Sequence, residues 1–185
     1  MAKAELPEVV FDDARAVRLF PRPEPKMAVR IFIPRSESGE ELPTAIKPKA
    51  GGLQVFYGDF YGLVDEVGDV RRGSAKDQWE VMHVKVDPLH WVKVLTPQGY
   101  VAAEPCKIVT RILGQNGDII PEHFDVVNPG DWIVKQPGGE LQYIRAAKYP
   151  KFYFTQEEAE ERGLGGMGSE EFAAWAVEQA RRLIR

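Results

Sequence analysis

The chain has 185 residues, of which 44% are apolar and 28% charged, with a formal net charge of −4. That suits one ordinary domain, or one domain with an appendage, and supplies enough apolar material for a real core. The small net charge excludes a strong global field that would draw the protein to nucleic acid or to an anionic membrane.

Residues 8–20 read as a short amphipathic helix. Val9, Val10, Ala14, Val17 and Leu19 make a loose helical stripe, and Asp12 and Asp13 suit its first turn. Pro21-Arg22-Pro23-Glu24-Pro25 then forbids a helix and predicts an extended connector, either a stiff linker or a PxxP ligand. Residues 28–33 read as a strand that Pro34 ends, residues 36–43 as a polar loop, and residues 53–57 as a second strand. Tyr57-Gly58-Asp59-Phe60-Tyr61-Gly62-Leu63-Val64 mixes aromatics with glycines, which permit a bulge or a close backbone approach. Residues 79–86 alternate, with Trp79, Val81, His83 and Lys85 on one face and Glu80, Met82, Val84 and Val86 on the other. That period predicts a strand.

Further short strands are predicted at 90–95, 99–103, 106–113, 124–127, 132–135 and 141–146. Asn116-Gly117 supplies a hairpin turn, because both positions accept positive φ. His90-Trp91-Val92-Lys93 and Asp131-Trp132-Ile133-Val134 each run on into a Pro-Gly turn, and read as two comparable hairpins. Thr155-Gln156-Glu157-Glu158 is a capping-box pattern for a short helix that Gly163 ends. A glycine-rich hinge over 163–168 follows, and Ser169 is placed to cap a last helix. Phe172, Trp175, Ala176, Gln179, Ala180 and Leu183 form the stripe of that helix. The stripe either buries against its own sheet or serves a protein partner or self-association.

The pattern predicts a mainly β (α+β) protein: an antiparallel barrel, roll or sandwich with a short N-terminal helix and C-terminal helices. The expected organisation is an N-terminal helix and Pro-rich connector over 1–27, a β-rich core over 28–154 and a helical appendage over 155–185.

Pro129, Gly130, Asp131 and Trp132 make the best fold marker. Pro129 and Gly130 form a tight turn, the Asp131 carboxylate can fix it by accepting from nearby amides, and Trp132 buries a ring against the next strand. Val126-Val127-Asn128-Pro129-Gly130-Asp131-Trp132-Ile133-Val134-Lys135, then Pro137-Gly138-Gly139-Glu140 and an aromatic close at Tyr149-Pro150-Lys151-Phe152-Tyr153-Phe154, resemble the PGDYG-type module. That module of unknown function recurs in phage and bacterial proteins. The resemblance covers residues 126–154, implies a phage or prophage connection, and brings no catalytic residue with it.

Chemistry-bearing residues are few. No phosphate loop, nucleophile elbow, zincin or Rossmann motif occurs. His83, His90, His123 and Cys106 are spaced like no metal site, so neither metal nor cofactor is expected. Cys106 reads as an inert, partly buried thiol rather than a nucleophile. As the sole cysteine it excludes an internal disulfide. With no leader-like or membrane-length apolar run, it points to the cytoplasm.

Tyr57, Asp59, Tyr61, Trp79, His83 and Trp91, with Asp65, could line a pocket for a flat ligand such as a base. The alternative is a sheet core with two turn aspartates. Arg15, Arg18, Arg22, Lys26, Arg30 and Arg35 form a locally basic stretch that keeps nucleic acid open as a weak alternative. The reading favoured is a non-catalytic binding or interaction module. A nucleotide or nucleic-acid binder is the alternative, or an enzyme with an unfamiliar site around His83, His90 and Asp59.

Overall fold

A computed structural model describes residues 5–48, 52–110 and 123–184. In chain order its elements are β1 (Val17–Arg18), β2 (Lys26–Ile31), β3 (Thr44–Ile46), β4 (Gln54–Phe56), β5 (Phe60–Val64), β6 (Val70–Ala75) and α1 (Lys76–Met82). There follow β7 (His83–Lys85), β8 (His90–Lys93), β9 (Gln98–Val101), β10 (Cys106–Thr110), β11 (His123–Val127), β12 (Trp132–Lys135) and β13 (Leu141–Ile144). The chain ends with α2 (Tyr149–Phe152), α3 (Gln156–Glu161), a 3-10 turn at Leu164–Gly166 and α4 (Ser169–Leu183). The strands pair antiparallel throughout, and helices close the chain.

The chain packs as two compact units, each built from two separated segments. One unit takes residues up to Pro21 and Thr96–Gly166, and the other takes Arg22–Leu95 and residues from Met167 onward. β1 pairs with β9 and α4 packs on β7 and β8, so the first and last segments each meet elements far away in sequence.

In the first unit an open sheet has the order β1-β9-β12-β13, and β10 pairs with β11 in a hairpin. The Asn116-Gly117 turn expected between those two strands lies outside the described residues. The core holds Tyr100, Ala102, Ile108, Val127 and Ile133. Residues 8–20 form no helix. Val9 donates its amide to the Lys107 carbonyl, Lys107 donates to Pro7, and Asp12 closes a turn by accepting from Ala14 and Arg15. The amides that a helix would need are therefore spent on β10 and on an aspartate turn.

The Pro129–Trp132 marker behaves as its chemistry predicts, with one difference. Gly130 sits at φ 93°, a left-handed conformation that suits glycine. Asp131 is buried and accepts from the amides of Asn128 (3.1 Å) and Ala146 (3.0 Å) and from Arg145 Nη1 (2.8 Å). Burial pushes this carboxyl up, but the two amides and the guanidinium outweigh it and hold Asp131 below the usual carboxylate range. Trp132 lies opposite Ile144 of β13 and packs with it against the same cluster, and its stacking partner comes from further along the chain. Its ring stacks on Tyr149 of α2 at 4.1 Å, and Tyr149 stacks in turn on Tyr153.

Thr155 caps α3 with both halves of a capping box, and Gly163 follows at φ 68°. The expected hinge beyond it is a 3-10 turn with Leu164 fully buried.

In the second unit a five-stranded sheet has the order β6-β5-β2-β8-β7, and β3 pairs with β4. Two expectations are corrected here. The segment read as a strand over 79–86 is α1 followed by a short β7. Lys76 and Glu80 pair at i,i+4, and Trp79 and His83 share one helical face, so a period of four wins over the apparent period of two. The segment at 90–100 is no hairpin either: β8 pairs with β2 and β7, whereas β9 belongs to the first unit. Gly168, not Ser169, is the N-cap of α4, with no side-chain cap bond. Phe172, Ala176 and Ala180 of that helix are buried, and it packs on β7 and β8.

Because the buried Asp131 satisfies two backbone amides and a partly exposed guanidinium, Asp131→Ala should cost about 1.5–3 kcal/mol. Asp131→Asn should cost less, since it keeps one acceptor. Urea unfolding at pH 7 measures both, and a loss below about 1 kcal/mol for the alanine variant would contradict this role. The depressed pKa stabilises the fold above the unfolded value near 3.9, and that contribution should vanish as pH falls through the lower folded value.

Candidate functional site

Tyr57, Asp59, Tyr61, Trp79, His83 and Trp91 all lie in the second unit, and the sheet register decides how they are distributed. Directly opposed residues share a face. Lys26, Ala28 and Arg30 of β2 therefore lie on one face with Tyr61 and Leu63 of β5, Arg72 and Ser74 of β6, Trp91 and Lys93 of β8, and His83 and Lys85 of β7. α1 runs from β6 at one edge to β7 at the other, over this face. Trp79, 1% exposed, is its wedge.

Tyr61, Trp79, His83 and Trp91 do come together, but as core. Tyr61 meets Trp91 edge-on at 5.1 Å, Trp79 lies 6.0 Å from Tyr61 and 6.2 Å from Trp91, and His83 stacks on Trp79 at 3.6 Å and 10°. All four are buried. The Tyr61 hydroxyl donates to Glu80 at 2.9 Å, and burial followed by that carboxylate raises its pKa. His83 Nδ1 donates to the Trp79 carbonyl at 3.1 Å, which fixes its tautomer and leaves Nε2 as a lone-pair acceptor. Nε2 is buried and has no hydrogen-bond partner among the described residues. Burial first, then the positive charges of Lys26, Lys93 and Arg72, pull the His83 pKa down to about 3 against the opposing Trp79 bond.

Tyr57 and Asp59 stand apart from that cluster and line an open groove of about 740 Å³ between β4, β6 and the start of α1. Tyr57 is 75% exposed. Asp59 accepts from Arg30 Nη2 at 2.7 Å and from the Ile33 amide at 3.3 Å. The Arg30 bond is the main cause that holds Asp59 below the usual carboxylate range. Arg30 also lies over the Phe32 ring at 4.6 Å. The groove wall is tightly built: Phe56 stacks on Phe60 at 4.0 Å, and Gln54 accepts the Gly73 amide at 2.8 Å. A Cβ on residue 73 would come within 2.4 Å of the Phe56 ring, so glycine there is a packing requirement. Phe32, Gln54 and Ser74 were not among the sequence candidates, and Arg30 was one only as part of the basic stretch. Their association with Asp59 follows from strand pairing, for which the local sequence carries no signal.

The remaining candidates serve turns and packing. Asp65 accepts from the Val67 and Asp69 amides, closing the β5–β6 turn, and forms an ion pair with Arg71 Nε at 2.7 Å. His90 Nδ1 lies 2.8 Å from Asp87, which also takes the His90 amide. Cys106 is half-buried on β10, and burial raises its thiol pKa. His123 opens β11 opposite Thr110, in the other unit from His83 and His90.

The division between rim and core has a measurable consequence. Tyr57→Ala should change stability by no more than about 0.5 kcal/mol, whereas Trp79→Ala should cost about 3–5 kcal/mol. His83 supplies a pH signature as well. Its folded pKa near 3 lies below the unfolded 6.5, so the neutral ring is favoured in the fold. Stability present above pH 6.5 should therefore fall by about 1.4 kcal/mol per pH unit between 6.5 and 3. His83→Phe should remove that slope. An unchanged acid profile in the variant would show that His83 is not the group responsible.

Comparison of the chain with known protein families, with curated proteins and with solved structures returns no match.

Proposed function

We propose that this protein is a non-catalytic binding module that engages a protein partner through the groove beside Tyr57. The observation that carries this reading is the Tyr57 ring, 75% exposed at the rim of a 740 Å³ groove, next to the Arg30–Asp59 pair. Phe32, at 69% exposure, and Val55 extend the apolar area around it. Exposed tyrosine and arginine beside apolar side chains are the residue types that dominate protein–protein contacts. The α4 stripe favours this surface over the terminal helix, because Phe172, Ala176 and Ala180 are already covered.

The second reading is a flat ligand, such as a base, stacked on Tyr57. It is favoured by the open ring, and disfavoured by Asp59, whose oxygens already serve Arg30 and Ile33. A cytoplasmic setting and a phage or prophage source belong to the same proposal and rest on the composition and on residues 126–154. The roll among the expected β arrangements also belongs to it, supported by open antiparallel sheets with covered faces. No helix among the described residues is long and apolar enough to cross a membrane.

A photocrosslinking residue placed at position 57 in cells tests this reading, with a matched probe at Val10 as control. The expected result is one protein captured at 57 and not at 10, whose purified form binds the chain at least tenfold more weakly after Tyr57→Ala. Crosslinks only to nucleic acid, together with salt-sensitive oligonucleotide binding, would move the assignment to the second reading. Identical capture at both positions would overturn the groove as the contact surface.

A further inference from the structure

The face crossed by α1 has a second end, away from the Tyr57 groove, and it is cationic. His83 on β7 is directly opposite Lys93 on β8, and Lys26 on β2 is directly opposite Trp91, two residues before Lys93 on the same face. Such opposed and diagonal positions are within side-chain reach. Arg72 approaches the same place from β6: it bears electrostatically on Lys26, on Lys93 and on His83. Lys85 shares the face and lies over the Trp91 ring at 5.7 Å. Glu24 is the carboxylate that acts on Lys26, while Glu80 is taken up by Tyr61 and Lys76.

His83 is the second, independent observation. It is 5% exposed, its Nδ1 is committed to the Trp79 carbonyl, and its Nε2 has no hydrogen-bond partner among the described residues. An orphaned buried polar atom destabilises a fold and calls for an explanation. Here the orphan lies on the strand next to Lys93 and feels the charges of Lys26 and Arg72 as well, three cations drawn from three strands. A solvated charged face would have its cations in water, but Lys26 and Lys93 are partly withdrawn from water, and burial is the main cause of their lowered pKa values.

We propose that Lys26, Arg72 and Lys93, with the His83 ring opposite Lys93 on the edge strand, form a binding site for an oxyanion carrying two or more negative charges, of the phosphate or diphosphate class. The anion relieves the repulsion among the cations. On binding, His83 takes up a proton, and Nε2 changes from an orphaned acceptor to a donor toward the anion oxygen. The site is independent of the Tyr57 groove and stands or falls separately from it.

Inorganic pyrophosphate is the probe, titrated into the full chain at low ionic strength and followed by calorimetry. The expected result is saturable 1:1 binding that Arg72→Gln and Lys26→Gln each weaken at least tenfold. Arg35→Gln, an exposed position paired with Glu41, should leave binding within twofold. Arg72 is exposed on an edge strand, so its variant keeps the test valid if Lys26→Gln does not fold. Sulfate, whose charge is constant from pH 6 to 9, gives the pH profile. Burial and Arg72 pull the Lys93 amine down to about 8, so sulfate affinity should fall as pH rises through that value, and Lys93→Met should flatten the fall. Nitrogen NMR of the ring should show His83 Nε2 becoming protonated at saturation. Absence of saturable binding to the folded chain, equal weakening by Arg35→Gln and Arg72→Gln, or an unmoved Nε2 signal would each overturn the proposal.

Discussion

The insertion of Trp79 is the constraint that organises the second unit. A seven-residue helix cannot persist on propensity alone, so α1 depends on what its tryptophan buries. Packed against Ala28, Tyr61 and Trp91, that ring fixes the helix over the middle strands of the sheet. It thereby divides the face. At one side lie Arg30, Asp59 and the Tyr57 groove, and at the other lie Lys26, Arg72, Lys93 and His83. Neither surface is made by its own residues alone, because both are what remains uncovered once α1 is seated.

The first unit is held by a different kind of interaction. Asp131 converts a buried negative charge from a liability into a fastener, because each of its oxygens meets a donor that would otherwise go unsatisfied. The Ala102 amide donates to the Asp131 carbonyl and Gly130 donates back to Ala102, so the turn is tied to the end of β9 as well as to β13. The aromatic stack from Trp132 through Tyr149 to Tyr153 then draws the short α2 onto the sheet. One polar hub and one apolar stack, adjacent in sequence, do complementary work.

Most strands were legible from the sequence because alternation and turn chemistry are local properties. Residues 90–93, 98–101, 132–135 and 141–144 fall where the pattern put them, and Thr155 caps α3 as its motif predicts. The failures share a cause: each turns on a pairing made far along the chain. The stripe over 8–20 loses its helix because β10 claims the Val9 and Pro7 backbone. The resemblance between 90–100 and 131–140 is real as sequence, yet one segment crosses between two sheets and the other folds back on itself. Residues 79–83 satisfy both periods, since Trp79, Val81 and His83 alternate while Trp79 and His83 are also one helical turn apart. Only the Tyr61–Trp91 pair waiting beneath settles the choice.

The same reasoning explains why the candidate site was only half legible. Tyr57, Asp59 and Tyr61 have one parity and would share a face of a continuous strand. The chain turns between β4 and β5, so Tyr57 is left at the rim while Tyr61 enters the core. His83 drew attention as a possible ligand or base, and its chemistry is shaped instead by desolvation and three nearby cations. A fold with no need beyond its own stability would be better served by an apolar residue in place of an imidazole with an orphaned nitrogen, or by a neutral one in place of Lys93. Both groups are desolvated beside the aromatic wedge, and the stacking around Trp79 is what the fold sets against that cost.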